Sequence, residues 1–261
     1  MKKIKKIALW VGLVLYFVLI SGFISGKRDA MLCNKVEVVI ADSLSKRFLE
    51  KRDITEMLSQ NNMLSLGSEL SKVNTKKVEE LILGNTLIKH CDVYITVDGK
   101  LNIDLWQREP VVRIIDRKNR NYYLDLEGSV ISMSKRFTPH ILVVNGYINT
   151  PFAAKGVENI YNPKYNKGAQ TLRNVHELAL FIRENDFWNG QIVQLYVDKK
   201  QEFELVPRIG PHLIILGGVE NYQEKFEKLE IFYSEGLNNV GWNHYLKINL
   251  KYKDQIVCSK I

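Results

Sequence analysis

The feature that most constrains this chain is a long stretch without charge near its N-terminus. Residues 7–25 read IALWVGLVLYFVLISGFIS. In α-helical conformation they would extend about 28 Å, close to the hydrocarbon thickness of a bilayer. Four lysines precede the stretch, and the positive-inside rule then places the N-terminus in the cytoplasm and the bulk of the chain outside. The sequence predicts a cytoplasmic tail at 1–6, a transmembrane helix at 7–25 and a linker at 26–33.

A cleaved signal peptide is the alternative interpretation of this stretch. Its apolar part is usually about 7–15 residues long, and small residues mark its cleavage site. Here the apolar run is longer, and Phe23 or Lys27 would occupy the last position before the cut. We therefore expect a retained segment.

The positive charge of the chain is concentrated at the same end. The formal net charge is +8, but residues 1–28 hold six basic side chains and no acidic one, so the rest is nearly neutral. A nucleic-acid-binding protein would spread its basic surplus over a folded face. Because 46% of the residues are hydrophobic and 25% charged, the chain has ordinary globular composition.

The three cysteines give no framework of disulfides and no metal site. Cys33, Cys91 and Cys258 are far apart in the sequence and odd in number. At most one bridge could form, and the sequence leaves open which thiols stay free. Buried, unpaired thiols are the simpler interpretation.

Strand and helix signals follow the apolar stretch. Lys35 to Ala41 reads KVEVVIA, whose β-branched residues favour a strand. Asp53, with Glu56 three residues later, resembles the capping box of a short helix. Apolar residues at helical spacing predict a second helix from Thr75 to Leu83, which Gly84 would close.

The period then changes from helical to two, which indicates a β-hairpin. Alternation runs from Cys91 to Val97 and resumes from Leu101 to Leu105, with Asp98-Gly99 as a two-residue turn. After Glu109-Pro110, residues 111–115 are again strand-like. From Lys35 to Leu105 the order of elements is β-α-α-β-β.

This order, directly after an apolar segment, resembles a POTRA domain. Glu109-Pro110 after the hairpin is typical of POTRA domains in the FtsQ/DivIB family of bacterial cell-division proteins. Tyr122 to Val130, Leu213 to Gly217 and Ile248 to Tyr252 resemble later landmarks of the family, in the family's order. The sequence thus resembles a divergent FtsQ/DivIB member over about residues 1–257, although Asn249 and Lys251 replace the family's Asp and Arg.

The resemblance implies an α+β fold class with a single transmembrane helix. A POTRA-like β-α-α-β-β domain would span residues 34–115. A β-rich domain, with a mixed or antiparallel sheet and flanking helices, would span 116–257 before a tail at 258–261. The polar stretch 149–168 carries no pattern that assigns its fold.

Residues 246–252 show the pattern of a half-buried strand near the chain end. Four apolar side chains fall on one face, and Lys247, Asn249 and Lys251 fall on the other. We expect this strand to lie at a sheet edge, where unpaired backbone groups can accept a partner strand.

The resemblance also implies function. The family's role is a non-enzymatic scaffold at the division site of the inner membrane, with no cofactor, metal, nucleic acid or small-molecule substrate. FtsB- and FtsL-like proteins would bind by strand addition at Tyr245–Val257, and the POTRA-like domain would offer a second docking surface. The expected partner contacts are Lys247, Asn249, Lys251 and Tyr252, with Tyr233 from the bordering helix Tyr222–Glu235.

The alternative is a signal-anchored envelope enzyme such as a cell-wall hydrolase. Two Ser-x-x-Lys matches, Ser43 to Lys46 and Ser132 to Lys135, have no Lys-Thr-Gly elsewhere to complete a penicillin-recognising site. Glu202 and Glu204 alternate on one strand face, and paired carboxylates can serve a glycosidase. The five histidines are dispersed. We therefore expect no catalytic residues.

Overall fold

The computed structural model describes residues 10–19, 32–42, 48–63, 67, 69, 72–134, 136–153, 157–166 and 168–260. The chain divides into two compact units after Gln107. Each unit has its own sheet.

The N-terminal segment corrects the predicted fold class. Residues 10–19 form helix α1, and their apolar side chains are exposed. Among the described residues, no helix is both long enough and apolar enough to cross a membrane. The prediction of a transmembrane helix at 7–25 is therefore wrong, and its residues 7–9 and 20–25, like the tail 1–6, lie outside the described part of the chain.

A three-stranded sheet is the frame of the first unit. Its strands are β1 (Lys35–Ile40), β2 (Ile88–Ile95) and β3 (Lys100–Gln107), in the order β1-β3-β2. β1 runs parallel to β3, whereas β2 and β3 form the predicted antiparallel hairpin. The turn is one residue longer than predicted: Thr96 N–H donates to the Lys100 carbonyl, and Gly99 takes the left-handed conformation at φ +83°.

Two helices cover this sheet. α2 (Lys51–Gln60) begins before the predicted capping box, because the Asp53 carboxylate accepts the N–H of Glu50 at 2.8 Å. α3 (Thr75–Leu83) has the predicted bounds, and the Asn74 side chain caps its N-terminus. Both helices bury an apolar stripe, and the buried residues of the two stripes are Ile54, Leu58, Val78 and Ile82.

The fourth strand of the chain belongs to the second unit, not to the first as the sequence predicts. β4 (Pro110–Ile115) pairs antiparallel with β5 (Asn121–Asp125) and parallel with β7 (Leu142–Gly146). The charged residues between β4 and β5 form a turn, since the Asp116 carboxylate accepts the N–H groups of Lys118 and Arg120 at 2.9 Å each. This turn folds β4 back onto β5.

The described strands of the second unit form one mixed, nine-stranded sheet. Its order is β12-β11-β10-β9-β8-β7-β4-β5-β6. The neighbours β4 and β7, β7 and β8, and β10 and β11 are parallel, and the other neighbours are antiparallel. The remaining strands are β6 (Val130–Ser132), β8 (Ile192–Val197), β9 (Phe203–Pro207), β10 (Leu213–Gly217), β11 (Tyr245–Asn249) and β12 (Val257–Lys260).

Helices supply the rest of the second core. These are α4 (Gln170–Glu184), α5 (Asp186–Gln191), α6 (Tyr222–Ile231), a π-helical segment (Phe232–Leu237) and α7 (Asn238–Val240). α4 buries a stripe of apolar residues, and Trp188 of α5 is 1% exposed in the same core. Within the stretch that the sequence left unassigned, Pro163–Tyr165 is a 3₁₀ turn and Asn159 bridges to Ser129.

The strand directions position the functional surfaces. β4, β7, β8, β10 and β11 all point the same way, because the two antiparallel steps from β8 through β9 to β10 restore the direction. The loops that follow these strands therefore meet along one end of the sheet.

Candidate partner-binding surface

The strand that the sequence placed at the sheet edge is an inner strand. Lys247 of β11 lies opposite Leu213 of β10 on one side and opposite Ser259 of β12 on the other. β12 is the edge, although the sequence assigned residues 258–261 to a tail. The prediction of an edge at 246–252 is therefore wrong by one strand, because the chain turns back after β11 and adds a short antiparallel strand.

The backbone of β11 shows which groups face each neighbour. Leu250 N–H donates to the Ile215 carbonyl of β10 at 2.9 Å. Because the polar groups of successive strand residues point to opposite sides, Ile248 also faces β10, whereas Lys247 and Asn249 face β12.

The same alternation sets the free side of β12. Ser259 lies opposite Lys247 and Val257 lies opposite Asn249, so both point their backbone groups toward β11. Cys258, between them, points its N–H and carbonyl away from the sheet. In the part of the chain that the structure describes, no strand pairs with this outer side of β12.

Lys251 is held by an acidic residue of its own chain. Its Nζ donates to both carboxylate oxygens of Glu202 at 2.7 Å, and this hydrogen bond raises the pKa of Lys251. The aliphatic part of Lys251 lies against Gly217, where an added Cβ would be 2.8 Å from the Lys251 Cγ. The Asn249 side chain accepts the N–H of Lys251 at 3.0 Å, which places both predicted contact residues in one local network.

A charged cleft adjoins this network. Its volume is about 410 Å³, and Tyr252 at its rim is 48% exposed. Lys228 Nζ donates to the Tyr252 carbonyl at 2.9 Å, and Lys225 Nζ donates to the Gly218 carbonyl at 2.8 Å. Burial lowers the pKa of Lys225. The charged residues of the lining are Glu202, Glu220, Glu224, Lys225, Lys228, Lys251 and Lys253.

Tyr233 does not belong to this surface. It is 2% exposed, its hydroxyl lies 2.8 Å from His212 Nε2, and its ring contacts Trp188 and Trp242. Burial raises the pKa of Tyr233. The prediction that Tyr233 contacts a partner is therefore corrected: it is a core residue that a partner cannot reach.

Two apolar side chains on the last two strands are exposed, which the sequence did not indicate. Leu246 of β11 is 44% exposed at a register irregularity between Tyr245 and Lys247, and Val257 of β12 is 41% exposed. Exposed apolar groups beside an open sheet edge are typical of protein-binding surfaces. The alternation in 246–252 placed Leu246 on the buried face, so the pattern itself concealed this feature.

The structure also places the groups considered for disulfide, metal or catalytic chemistry. All three cysteines are free thiols, and burial raises the pKa of Cys91 to about 12. Among the described residues, no three His, Cys, Asp or Glu side chains are grouped as metal ligands would be. Glu202 is engaged by Lys251, and the first Ser-x-x-Lys match, with Lys135 of the second, lies outside the described residues.

Comparison with known protein families assigns both units. A model described as POTRA-like domain matches residues 31–106, and a model described as FtsQ/DivIB, C-terminal related, matches residues 109–259, more than half of the chain. The chain belongs to the FtsQ/DivIB C-terminal related family. This confirms the resemblance found in the sequence. Members of the FtsQ/DivIB family are generally non-enzymatic cell-division scaffolds at the division site of the inner membrane. A search of curated proteins finds no match to the chain.

Proposed function

We propose that this chain is a cell-division scaffold that binds FtsB- and FtsL-like proteins by strand addition at β12. The observation that carries the proposal is the open outer side of β12, where the backbone groups of Cys258 point away from β11. An added strand would pair its own backbone with these groups. Such pairing supplies affinity without a deep pocket.

Side chains beside the edge would select the partner. Val257 and Leu246 offer apolar contacts at the two strands, while Lys247 is an exposed cation on β11. Tyr252 lies at the rim of the charged cleft. A partner segment with apolar residues alternating with acidic ones fits this arrangement, because opposite charges across an interface favour the correct register.

The family match supports a location for the protein. We place the two folded units on the periplasmic side of the inner membrane, at the division site, as the FtsQ/DivIB match supports. In the first unit, β1 and β2 are the outer strands of the three-stranded sheet and offer edges to further division proteins.

A proline at residue 258 tests the proposal. Cys258→Pro removes the outward N–H that a partner strand would use, while the bonds between β11 and β12 involve Val257 and Ser259. Proline is tolerated on an edge strand when its missing N–H faces solvent. Cys258→Ala is the matched control, because it removes the thiol but keeps the N–H.

The measurement is a titration of the full chain with a purified FtsB-like protein, beside a thermal melt of each variant. We expect Cys258→Pro to weaken binding about tenfold or more and Cys258→Ala to leave it unchanged. Equal binding by both folded variants would exclude β12. If Cys258→Pro melts early, replacing Val257 with Glu on the exposed face provides a second test, and unchanged affinity would again reject the proposal.

A further inference from the structure

A second surface lies at the ends of three adjacent parallel strands, away from β12. β4, β7 and β8 end beside one another, and the loops that follow them begin at Asp116, Tyr147 and Asp198. Three other strands separate β8 from β12 in the sheet order. We call Arg117, Lys118, Tyr147, Lys199 and Lys200 the basic loop cluster.

The backbone fixes Tyr147 at the centre of this cluster. Its N–H donates to the Val197 carbonyl at 2.8 Å, and its carbonyl accepts Gln201 Nε2 at 3.0 Å. The preceding Gly146 has φ +109°, and an added Cβ there would lie 2.2 Å from the Val197 oxygen. Only glycine lets the ends of β7 and β8 approach this closely.

Two cations lie over the Tyr147 ring. The guanidinium carbon of Arg117 and Nζ of Lys199 are each 5.6 Å from the ring centroid. This cation–π geometry holds both charges at one place. Lys118 and Lys200 are exposed next to them in the same two loops.

The acidic residues of these loops offset the charge of the cluster only in part. The Asp116 carboxylate is nearly buried and accepts hydrogen bonds from Arg120 and Thr150. Asp198 Oδ1 accepts the backbone N–H groups of Lys200 and Glu202 at 2.7 and 2.9 Å. Within the described part of the chain, none of the four cations of the cluster forms an ion pair. Asp116 is paired with Arg120, and the single charge of Asp198 is smaller than that of the four cations. The basic loop cluster therefore keeps a net positive charge.

A concave pocket of about 350 Å³ opens beside Tyr147 and Arg117. Asn119, Asn145 and Tyr196 also line it. Asn145 Oδ1 already accepts Gln194 Nε2 at 3.0 Å, which leaves the Asn145 amide N–H groups to donate to a ligand. Side-chain amides in a concavity are suited to the carbonyl groups of a peptide, whereas a membrane surface would need a flat or convex face.

We propose that the basic loop cluster binds an acidic peptide segment of a partner protein, at a site separate from the β12 edge. Arg117 and Lys199 would bind carboxylates, since an arginine can hold a carboxylate through two parallel N–H bonds. The amides of Asn119 and Asn145 would bind the peptide backbone between them. Lys118 and Lys200 would extend the positive field and speed association.

The probe is a fluorescently labelled peptide of alternating Asp and Gly, with the alternating Asn and Gly peptide as its neutral counterpart. Binding to the full chain, in a non-ionic detergent that covers the apolar side chains of α1, is measured by fluorescence anisotropy over a salt series. The test variant is Arg117→Glu with Lys199→Glu. The control is Lys76→Glu with Lys77→Glu, which changes net charge equally on two exposed residues of α3 in the first unit.

We expect the Asp peptide to bind in a salt-sensitive manner, the test variant to lose about tenfold or more in affinity, and the control to retain it. Lys118→Glu with Lys200→Glu, which alters no side-chain contact in the described structure, should also weaken binding. Equal losses in test and control variants would overturn the proposal. Binding of glycerophosphoglycerol, a soluble lipid headgroup, without binding of the Asp peptide would also overturn it and assign the cluster to a membrane surface.

Discussion

Lys251 and Glu202 form a two-point contact between the chain after β11 and the start of β9. Lys251 Nζ is 2.7 Å from each Glu202 carboxylate oxygen, and the two side chains are 40% and 28% exposed. Because Lys251 is engaged inside its own chain, a partner that binds Lys251 must compete with Glu202. The contact also fixes the segment that leads from β11 toward the β12 edge.

Reversing this pair tests its role. Lys251→Glu places two carboxylates together and should lower the melting temperature by a few degrees at most, because the pair is partly exposed. The double variant Glu202→Lys with Lys251→Glu should recover most of the loss. Thermal melts of the three chains at low and high salt measure this. A double variant no more stable than the single one would show that the pair does not contribute.

A glycine pair tests the close approach of β7 and β8. Gly146→Ala should destabilise the second unit by about 2 kcal/mol or more, since it combines a left-handed φ with a Cβ 2.2 Å from the Val197 oxygen. Gly190→Ala is the control: it lies in α5 with no neighbour within 4 Å, so alanine should be neutral or slightly stabilising. Denaturant unfolding measures the free energy of unfolding of both variants. Similar stabilities would contradict the strain at Gly146.

His176 makes the second unit sensitive to acid. Its Nε2–H donates to the Asp125 carbonyl at 2.7 Å, and its Nδ1 accepts the Tyr161 hydroxyl at 2.9 Å. Burial lowers the pKa of His176, so the unfolded chain takes up a proton at a higher pH than the folded chain. Neutral His176 makes its full contribution to the free energy of unfolding above about pH 6.5, the pKa of histidine in the unfolded chain. This contribution is lost as the pH falls below that value.

Melts between about pH 7 and pH 5 measure this loss. We expect His176→Gln to have a lower melting temperature at neutral pH but a flatter pH dependence than the unchanged chain. His140→Gln changes an exposed residue and is the control, for which we expect the melting temperature to vary with pH as it does in the unchanged chain. His212 is also buried with a lowered pKa and should supply the pH dependence that remains. An unaltered slope in His176→Gln would contradict the prediction.

The unit boundary can be tested with fragments. Residues 32–107 contain the whole three-stranded sheet and the two helices that cover it, so this fragment should give a folded circular-dichroism spectrum and a cooperative melt. Extending it to 115 adds β4, whose Val112 and Ile114 are 0% exposed in the other unit, and should promote aggregation. A fragment 32–95, which lacks the central strand β3, should not fold. An unfolded 32–107 fragment would refute an independent unit.

Local periodicity predicted the elements whose own residues decide their structure. The bounds of α3 and the hairpin of β2 and β3 follow from apolar spacing and turn residues. Tyr233 was instead expected at the partner-binding surface, and its burial at 2% exposure corrects that prediction.

Pairing between strands that are distant in the sequence was harder to predict. Residues 110–115 look like a fourth strand of the first unit, and nothing local indicates that Val112 pairs with Leu142 of β7. β12 has only four residues and no alternation of its own, so it became visible only through its pairing with β11. The surface at the ends of β4, β7 and β8 unites residues distant in sequence, such as Arg117 and Lys199, which spacing alone could not bring together.

The parallel pairing of β1 with β3 has a kinetic consequence for the first unit. β2 and β3 are joined by a short turn and can pair within microseconds. β1 can pair with β3, where Lys35 lies opposite Lys100, only after a long intervening segment has been brought together. The high contact order of this pairing makes β1 the last strand to dock. Because the two strands are parallel, a load between the start of β1 and the end of β3 would shear this pair along its length and stress all its backbone bonds together.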